Sequence, residues 1–112
     1  MNSNWVKEFP AAVTVCDTKG IITEMNGKSA DVFKDEGGYK LLGTNLFGCH
    51  SGASNEKIKQ IMEEAKPNVY TIEKQGVKKL IYQSPWYENG KMMGLVELSI
   101  EIPSEMQNFI RS

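Results

Sequence analysis

Three side chains of the sequence could do redox, metal or nucleophilic chemistry: Cys16, Cys49 and His50, the only histidine. Cys49 and His50 are adjacent, so the imidazole could stabilise a thiolate or ligate haem iron. A loop histidine and a small buried thiol are the simpler interpretations. Structural zinc needs about four ligands and a nucleophile needs an oriented base, and the sequence offers neither pattern. We therefore predict no enzyme and no metal site, with haem ligation by His50 kept as an alternative.

Composition bounds the possible partners. The chain has 112 residues, of which 40% are hydrophobic and 24% are charged, as in one ordinary globular domain spanning residues 1–112. A net charge of −1 argues against nucleic-acid binding, which needs a basic surface. No apolar run approaches the ~20 residues that cross a bilayer, and the N-terminus lacks a signal-peptide pattern. With two cysteines and no CxxC pair, these features predict a cytoplasmic protein without membrane contact.

The elements that must position any site follow from residue patterns. Strand patterns, rich in β-branched residues or alternating in polarity, occur at 12–16, 21–25, 68–74, 77–87 and 91–102. Asn26 can cap a short helix, and apolar residues at i, i+3, i+4 and i+7 from Ile58 predict a longer helix that ends before Pro67. Short helical turns are expected at Trp5–Phe9 and, from a capping-box pattern, at Ser104–Gln107. The pattern predicts an α+β fold with helices on one face of an antiparallel sheet.

In this order, five stretches resemble the Per-Arnt-Sim (PAS) superfamily over about residues 9–103: FPAAVTVCDTKGIITEMN, NGKSADVF, LLGTNLFG, IEKQG and YQSPWYENGKMMGLVELSIEIP. The resemblance implies a five-stranded antiparallel sheet in spatial order 2-1-5-4-3, with helices enclosing a ligand cavity and short helical segments flanking the core. It also implies a stand-alone sensor in signal transduction or transcription regulation that binds a small molecule. Since no output sequence follows Ile102, the signal is expected to pass to a separate partner. The alternative is a PAS dimerisation or docking module without a ligand.

One departure from the family bears on the cofactor. In flavin-binding light sensors of this family a reactive cysteine follows the asparagine of a GxNC motif, whereas GTNL places Leu46 there. Cys49 lies three positions later. The resemblance therefore argues against flavin-adduct photochemistry and leaves the identity of the ligand open.

The two faces of the sheet are assigned from the family register. Simple alternation would point Val96 and Leu98 toward the helices, whereas the resemblance points Glu97 and Ser99 there, and a one-residue slip exchanges the faces. We prefer the family register, which also places Val69, Thr71 and Lys79 on the cavity side. The candidate ligand-binding residues are then Asn26, Phe33, Leu46, His50, Met62, Thr71, Ile81, Gln83, Glu97 and Ser99. The candidate interface on the opposite face consists of Tyr70, Ile72, Leu80, Tyr82, Val96, Leu98 and Ile100.

Each face of the sheet should have groups packed against it or paired with it. An apolar patch as large as the opposite face should be covered, either by the terminal segments (Trp5, Val6, Phe9, Phe109 and Ile110) or by a partner, in a homodimer or with a signalling protein. Burying Glu97 without a partner would cost several kcal/mol. We therefore expect Lys79, a ligand donor or water beside this carboxylate.

Overall fold

The computed structural model describes residues 4–46 and 52–112. The strands are β1 (Ala12–Asp17), β2 (Ile22–Met25), β3 (Asn68–Lys74), β4 (Val77–Glu88) and β5 (Lys91–Ile102). The helices are α1 (Asn4–Lys7), α2 (Gly27–Val32) and α3 (Gly52–Glu64), with 3₁₀ turns at Lys34–Glu36 and Gly38–Leu41. The strands form one antiparallel sheet in the order β2-β1-β5-β4-β3, so the predicted fold class and strand order are confirmed.

Turn chemistry explains where the strands reverse. Asp17 Oδ1 accepts hydrogen bonds from the backbone N–H groups of Lys19 (2.9 Å) and Ile21 (3.0 Å), which folds the first hairpin. The other two hairpins turn at Gln75-Gly76 and Asn89-Gly90, where all four residues have φ between 51° and 80°. Two consecutive positive φ angles are the geometry of the tight hairpin turn that matches the twist of a sheet.

The sheet packs on both sides. On the inner face, which we define by Thr14, Cys16, Leu95 and Glu97, α3 contributes Ile58 and Ile61 to a buried cluster with Cys16 and Leu95. On the outer face, defined by Val13, Val15, Val96 and Leu98, Val6 of α1 is buried against Val13 and Val15. The N-terminal helix therefore covers one end of the outer face. This is the covering that the sequence predicted for Val6.

The register places Glu97 and Ser99 on the inner face, as the family register predicts. Glu97 lies opposite Thr14 and Gln83, and the Thr14 hydroxyl is 2.6 Å from the Ser29 hydroxyl of α2. Val96 and Leu98 instead pack beside Val13 and Val15 under α1. Simple alternation, with the apolar residues of β5 under the helices, is wrong.

The prediction for β3 is wrong, and the turn explains why. Lys74 pairs with Val77 across a two-residue turn, so opposed residues of β3 and β4 always differ in parity. Tyr70 therefore lies opposite Ile81 and shares the inner face. By the same register Ile72 is on the inner face, whereas Val69 and Thr71 are on the outer face. Thr71 cannot line the cavity, and Tyr70 and Ile72 cannot belong to an outer interface.

The C-terminal segment also differs from its prediction. Residues 103–112 form no helix, and Met106, Phe109 and Ile110 are 67%, 66% and 95% exposed. A helix of one or two turns is unstable in water unless a packed face holds it, which the capping-box pattern alone does not supply. At the other terminus Trp5 and Phe9 are exposed as well, in a T-shaped contact with ring centroids 5.7 Å apart. Within the described residues, no helix is both long and apolar enough to span a membrane.

Candidate ligand-binding cavity

A cavity of about 140 Å³ lies between the inner face and the helical segment 27–41, which comprises α2 and the two 3₁₀ turns. The described residues that line it are Thr14, Ile22, Met25, Phe33, Glu36, Leu41, Leu46 and Glu97. An apolar cavity of about 150 Å³ admits a molecule of the size of benzene. A second space of about 20 Å³, large enough for one water, shares Thr14, Ile22, Leu46 and Glu97 and extends toward Gln83 and α3.

Asn26 fixes the start of the helical segment over the cavity. Its side chain is 2% exposed, and its Oδ1 accepts from the backbone N–H groups of Ser29 (3.0 Å) and Val13 (3.0 Å). Its Nδ2 donates to the carbonyl oxygens of Val6 (2.9 Å) and Ala11 (2.8 Å). All four hydrogen-bonding positions of the amide are thus used within the protein. Asn26 positions the site but has no group left to bind a ligand.

A row of polar side chains crosses the inner face and ends at the cavity. Asn68 Nδ2 donates to Gln83 Oε1 (2.9 Å), and Gln83 Nε2 donates to Glu97 Oε1 (2.8 Å). The register produces this row, because Gln83 lies opposite both Asn68 and Glu97. Gln83 is the described donor beside Glu97, whereas Lys79, one of the three partners expected there, lies opposite Glu101.

Two other ionisable groups of the inner face remain protonated at neutral pH. Burial and the nearby charge of Glu97 raise the pKa of Tyr70 above its ordinary value of 10.0. Burial is also the largest cause of the raised pKa of the Cys16 thiol, which outweighs a hydrogen bond to the Leu95 backbone. Cys16 is 2% exposed, so it acts as a small apolar residue of the core rather than as a nucleophile.

Solved structures of other proteins share this fold. No family model and no curated protein matches the chain, but several solved structures do. A C-terminal domain from Streptococcus mutans superimposes with a TM-score of 0.72 at 17% identity, covering 88% of this chain and 80% of that one. A PAS domain from Colwellia psychrerythraea superimposes with a TM-score of 0.62 at 21% identity, covering 90% of this chain and 93% of that one.

This chain has the PAS fold. A third similar structure is the Aer2 receptor of Vibrio cholerae, described as a dual PAS-haem oxygen sensor, with a TM-score of 0.62 at 14% identity. The match covers 82% of this chain and 94% of that one. At these identities the likeness establishes the PAS fold, while ligand and partner must be argued from the residues of this chain.

The structure places the predicted site residues at several different positions in the PAS fold. Phe33, Leu46 and Glu97 line the cavity, and Gln83 lines the smaller space beside it. Met62, in α3, packs against the buried core cluster, while Ile81 and Ser99 lie opposite each other on the inner face. Asn26 is structural and Thr71 is on the outer face, as described above. His50 and Cys49 lie outside the described residues.

Sequence reasoning missed five cavity residues. Leu41 and Glu36 come from the 3₁₀ turns, whose residues follow no periodic pattern. Thr14, Ile22 and Met25 come from the first hairpin. One signal was available in the sequence for Thr14, since it is the single polar residue between the apolar positions of β1. The structure pairs Thr14 with Glu97. Within the described residues, no group of three or more His, Cys, Asp or Glu side chains could hold a metal ion.

Proposed function

We propose that this protein is a PAS sensor domain that binds a small molecule in the cavity and relays its occupancy to a separate signalling partner. The observation that carries the proposal is the cavity itself, whose described walls are mostly apolar and include the hydrogen-bonded carboxylate of Glu97. Sites for small molecules commonly combine such walls with a few fixed polar groups. The PAS fold and the sensor role of a similar structure support the same function.

A ligand in this position would contact two parts of the fold at once. Phe33 and Leu41 belong to the helical segment, whereas Thr14 and Glu97 belong to the sheet. Occupancy would therefore favour one placement of the helical segment over the sheet, by as much as the ligand binds that placement better. The relay in this proposal is a change in the helical segment that a partner protein recognises, and it involves no catalytic step.

Filling the cavity should abolish ligand binding. We expect Leu41→Trp to remove the stabilisation that a neutral probe of suitable size, benzyl alcohol, gives the wild-type protein, because the indole occupies the space of the ligand. In the wild type, saturating probe should raise the melting temperature by about 5 °C. Differential scanning fluorimetry measures both values, and native mass spectrometry of the protein as purified reports any molecule already bound.

Leu42→Trp is the matched control for this experiment. Leu42 is the neighbouring residue, is 41% exposed and does not line the cavity, so the same substitution there should leave the probe response unchanged. If the wild type shows no bound molecule and binds neither benzyl alcohol nor a charged compound of the same size, the sensor function is wrong. If Leu41→Trp is stabilised by the probe as much as Leu42→Trp is, the probe binds outside this cavity.

The alternative function, a dimerisation or docking module, is favoured by one observation. The outer face beyond α1 exposes apolar side chains, among them Val69 (49%), Tyr82 (39%) and Ile100 (37%). The C-terminal residues Phe109 and Ile110 are themselves exposed and do not cover them. Exposed apolar groups that adjoin one another are typical of protein interfaces.

A charge placed in this patch should dissociate a homodimer. We expect wild-type protein to sediment as a dimer at high micromolar concentration and Tyr82→Lys to sediment as a monomer, because the ammonium would be desolvated in the interface. Tyr87→Lys is the control, since Tyr87 is 51% exposed near the end of the same strand. Analytical ultracentrifugation distinguishes the two states. A wild-type protein that is monomeric at every concentration contradicts the dimer.

A further inference from the structure

We infer that the ligand of the cavity is a small organic cation: an amine with an apolar body of about six to eight heavy atoms. The inference rests on the proposed sensor function and adds the chemical class of the ligand. It follows from the charges and the remaining hydrogen-bonding capacity of the cavity walls.

The ionisable groups among the described walls are both carboxylates. Glu97 lies on the sheet, and Glu36, from the first 3₁₀ turn, is exposed at the rim. No lysine or arginine is among the described residues that line this cavity or the smaller space beside it. An anionic ligand would add a third negative charge to this set, whereas a monocation would be attracted by both carboxylates.

The carboxylate of Glu97 is held in place but is not saturated by its described partner. Gln83 Nε2 donates one hydrogen bond to Oε1, and Gln83 is itself oriented by Asn68. An ionised carboxylate can accept about four hydrogen bonds. An ammonium group supplies three donors and a full positive charge, so it matches the remaining capacity better than a hydroxyl group does.

The rest of the cavity selects the body of the ligand. Apart from the two carboxylates and Thr14, the described residues of the walls are Ile22, Met25, Phe33, Leu41 and Leu46, all apolar. The Thr14 hydroxyl is within hydrogen-bonding distance of Ser29. The arrangement therefore fits a molecule whose charge lies at one end, next to Glu97, and whose remaining surface is hydrocarbon.

Three near-isosteric probes test this class: benzylamine, benzyl alcohol and benzoate, which are cationic, neutral and anionic at pH 7. We expect benzylamine to bind the wild type about tenfold or more tightly than benzyl alcohol, as one charged hydrogen bond would give, and benzoate to bind most weakly. Titrations followed by amide chemical shifts of ¹⁵N-labelled protein measure the three Kd values and locate the bound probe.

Glu97→Gln should weaken benzylamine binding about tenfold and change benzyl alcohol binding less than about threefold, since the amide keeps the shape and loses the charge. Glu101→Gln is the matched control, because Glu101 is on the same strand but is not among the described residues that line the cavity. This variant should bind all three probes with the affinities of the wild type. Retained binding of benzyl alcohol shows that the Glu97→Gln protein is folded. If the Glu97→Gln protein does not fold, Glu36→Gln, at an exposed position, should still lower the affinity for benzylamine and leave the affinity for benzyl alcohol unchanged.

The outcomes separate the ligand class from the sensor function. Equal affinities for benzylamine and benzyl alcohol would overturn the cationic class while leaving a small-molecule cavity intact. An affinity for benzylamine that is unchanged in both Glu97→Gln and Glu36→Gln would do the same. Failure of all three probes to bind at millimolar concentration would overturn the cationic class, and together with the absence of a copurified molecule it would overturn the sensor function as well.

Discussion

Replacing Asn26 with alanine should lower the free energy of unfolding by about 3–4 kcal/mol, because it leaves several buried backbone groups without partners. The side chain is 2% exposed and makes four hydrogen bonds of 2.8–3.0 Å. Two of them reach the carbonyl oxygens of Val6 and Ala11, which precede the sheet, and the other two join β1 to the start of α2. Urea denaturation followed by circular dichroism measures the loss.

Two further variants divide this effect into its parts. Asn26→Ser should recover part of the loss, because a serine hydroxyl can still cap α2 by accepting from the Ser29 N–H but is too short to donate to Val6 and Ala11. Asn108→Ala, at an exposed position of the C-terminal segment, should change stability by less than about 0.5 kcal/mol. A loss below about 1 kcal/mol for Asn26→Ala would show that these hydrogen bonds do not form in solution.

Gly94→Ala should be at least as destabilising, with an expected loss of about 3–5 kcal/mol. Gly94 has a φ of 149° and lies opposite both Asp17 and Trp86 in the middle of the sheet. A Cβ atom there would lie 2.8 Å from the Cα and the carbonyl carbon of Asp17, and closer still to the Cys16 carbonyl oxygen. Relief of this clash would require β1 and β5 to separate.

Gly90→Ala separates the clash from backbone strain. Gly90 also has a positive φ, 79°, but a Cβ atom added there meets nothing within 4 Å. This variant should lose only about 1–2 kcal/mol, the cost of a left-handed conformation for alanine. Melting temperatures from calorimetry rank the two variants. If the Gly94→Ala protein is as stable as the Gly90→Ala protein, the close packing of β1 on β5 is contradicted.

Much of the fold could be predicted because its signals are local. The glycines of Gln75-Gly76 and Asn89-Gly90 mark the two later hairpins, and the apolar spacing from Ile58 marks α3. The inner position of Glu97 came from the family register and not from alternation, which pointed the wrong way. Alternation fails in β5 because the strand is packed on both faces, so its apolar residues do not identify the face under the helices.

The remaining errors have physical causes that differ in kind. The faces of β3 could have been obtained from the sequence, because a two-residue turn at Gln75-Gly76 fixes the parity of the pairing. The cavity walls at Glu36 and Leu41 could not, since the 3₁₀ turns that place them lack a periodic pattern. The capping-box pattern at Ser104–Gln107 predicted a C-terminal helix that does not form, because a cap does not hold so short a helix without a packed face.

The amide of Asn26 has a consequence for communication between the two sides of the sheet. The same side chain binds the carbonyl oxygen of Val6, whose helix lies on the outer face, and begins α2, whose Ser29 contacts Thr14 at the cavity. The free energy of docking α1 and that of placing α2 are therefore linked through one group. Linkage of this kind is reciprocal: an event in the cavity that moves α2 changes the protection of α1 from hydrogen exchange, and displacement of α1 changes the affinity of the cavity to the same extent.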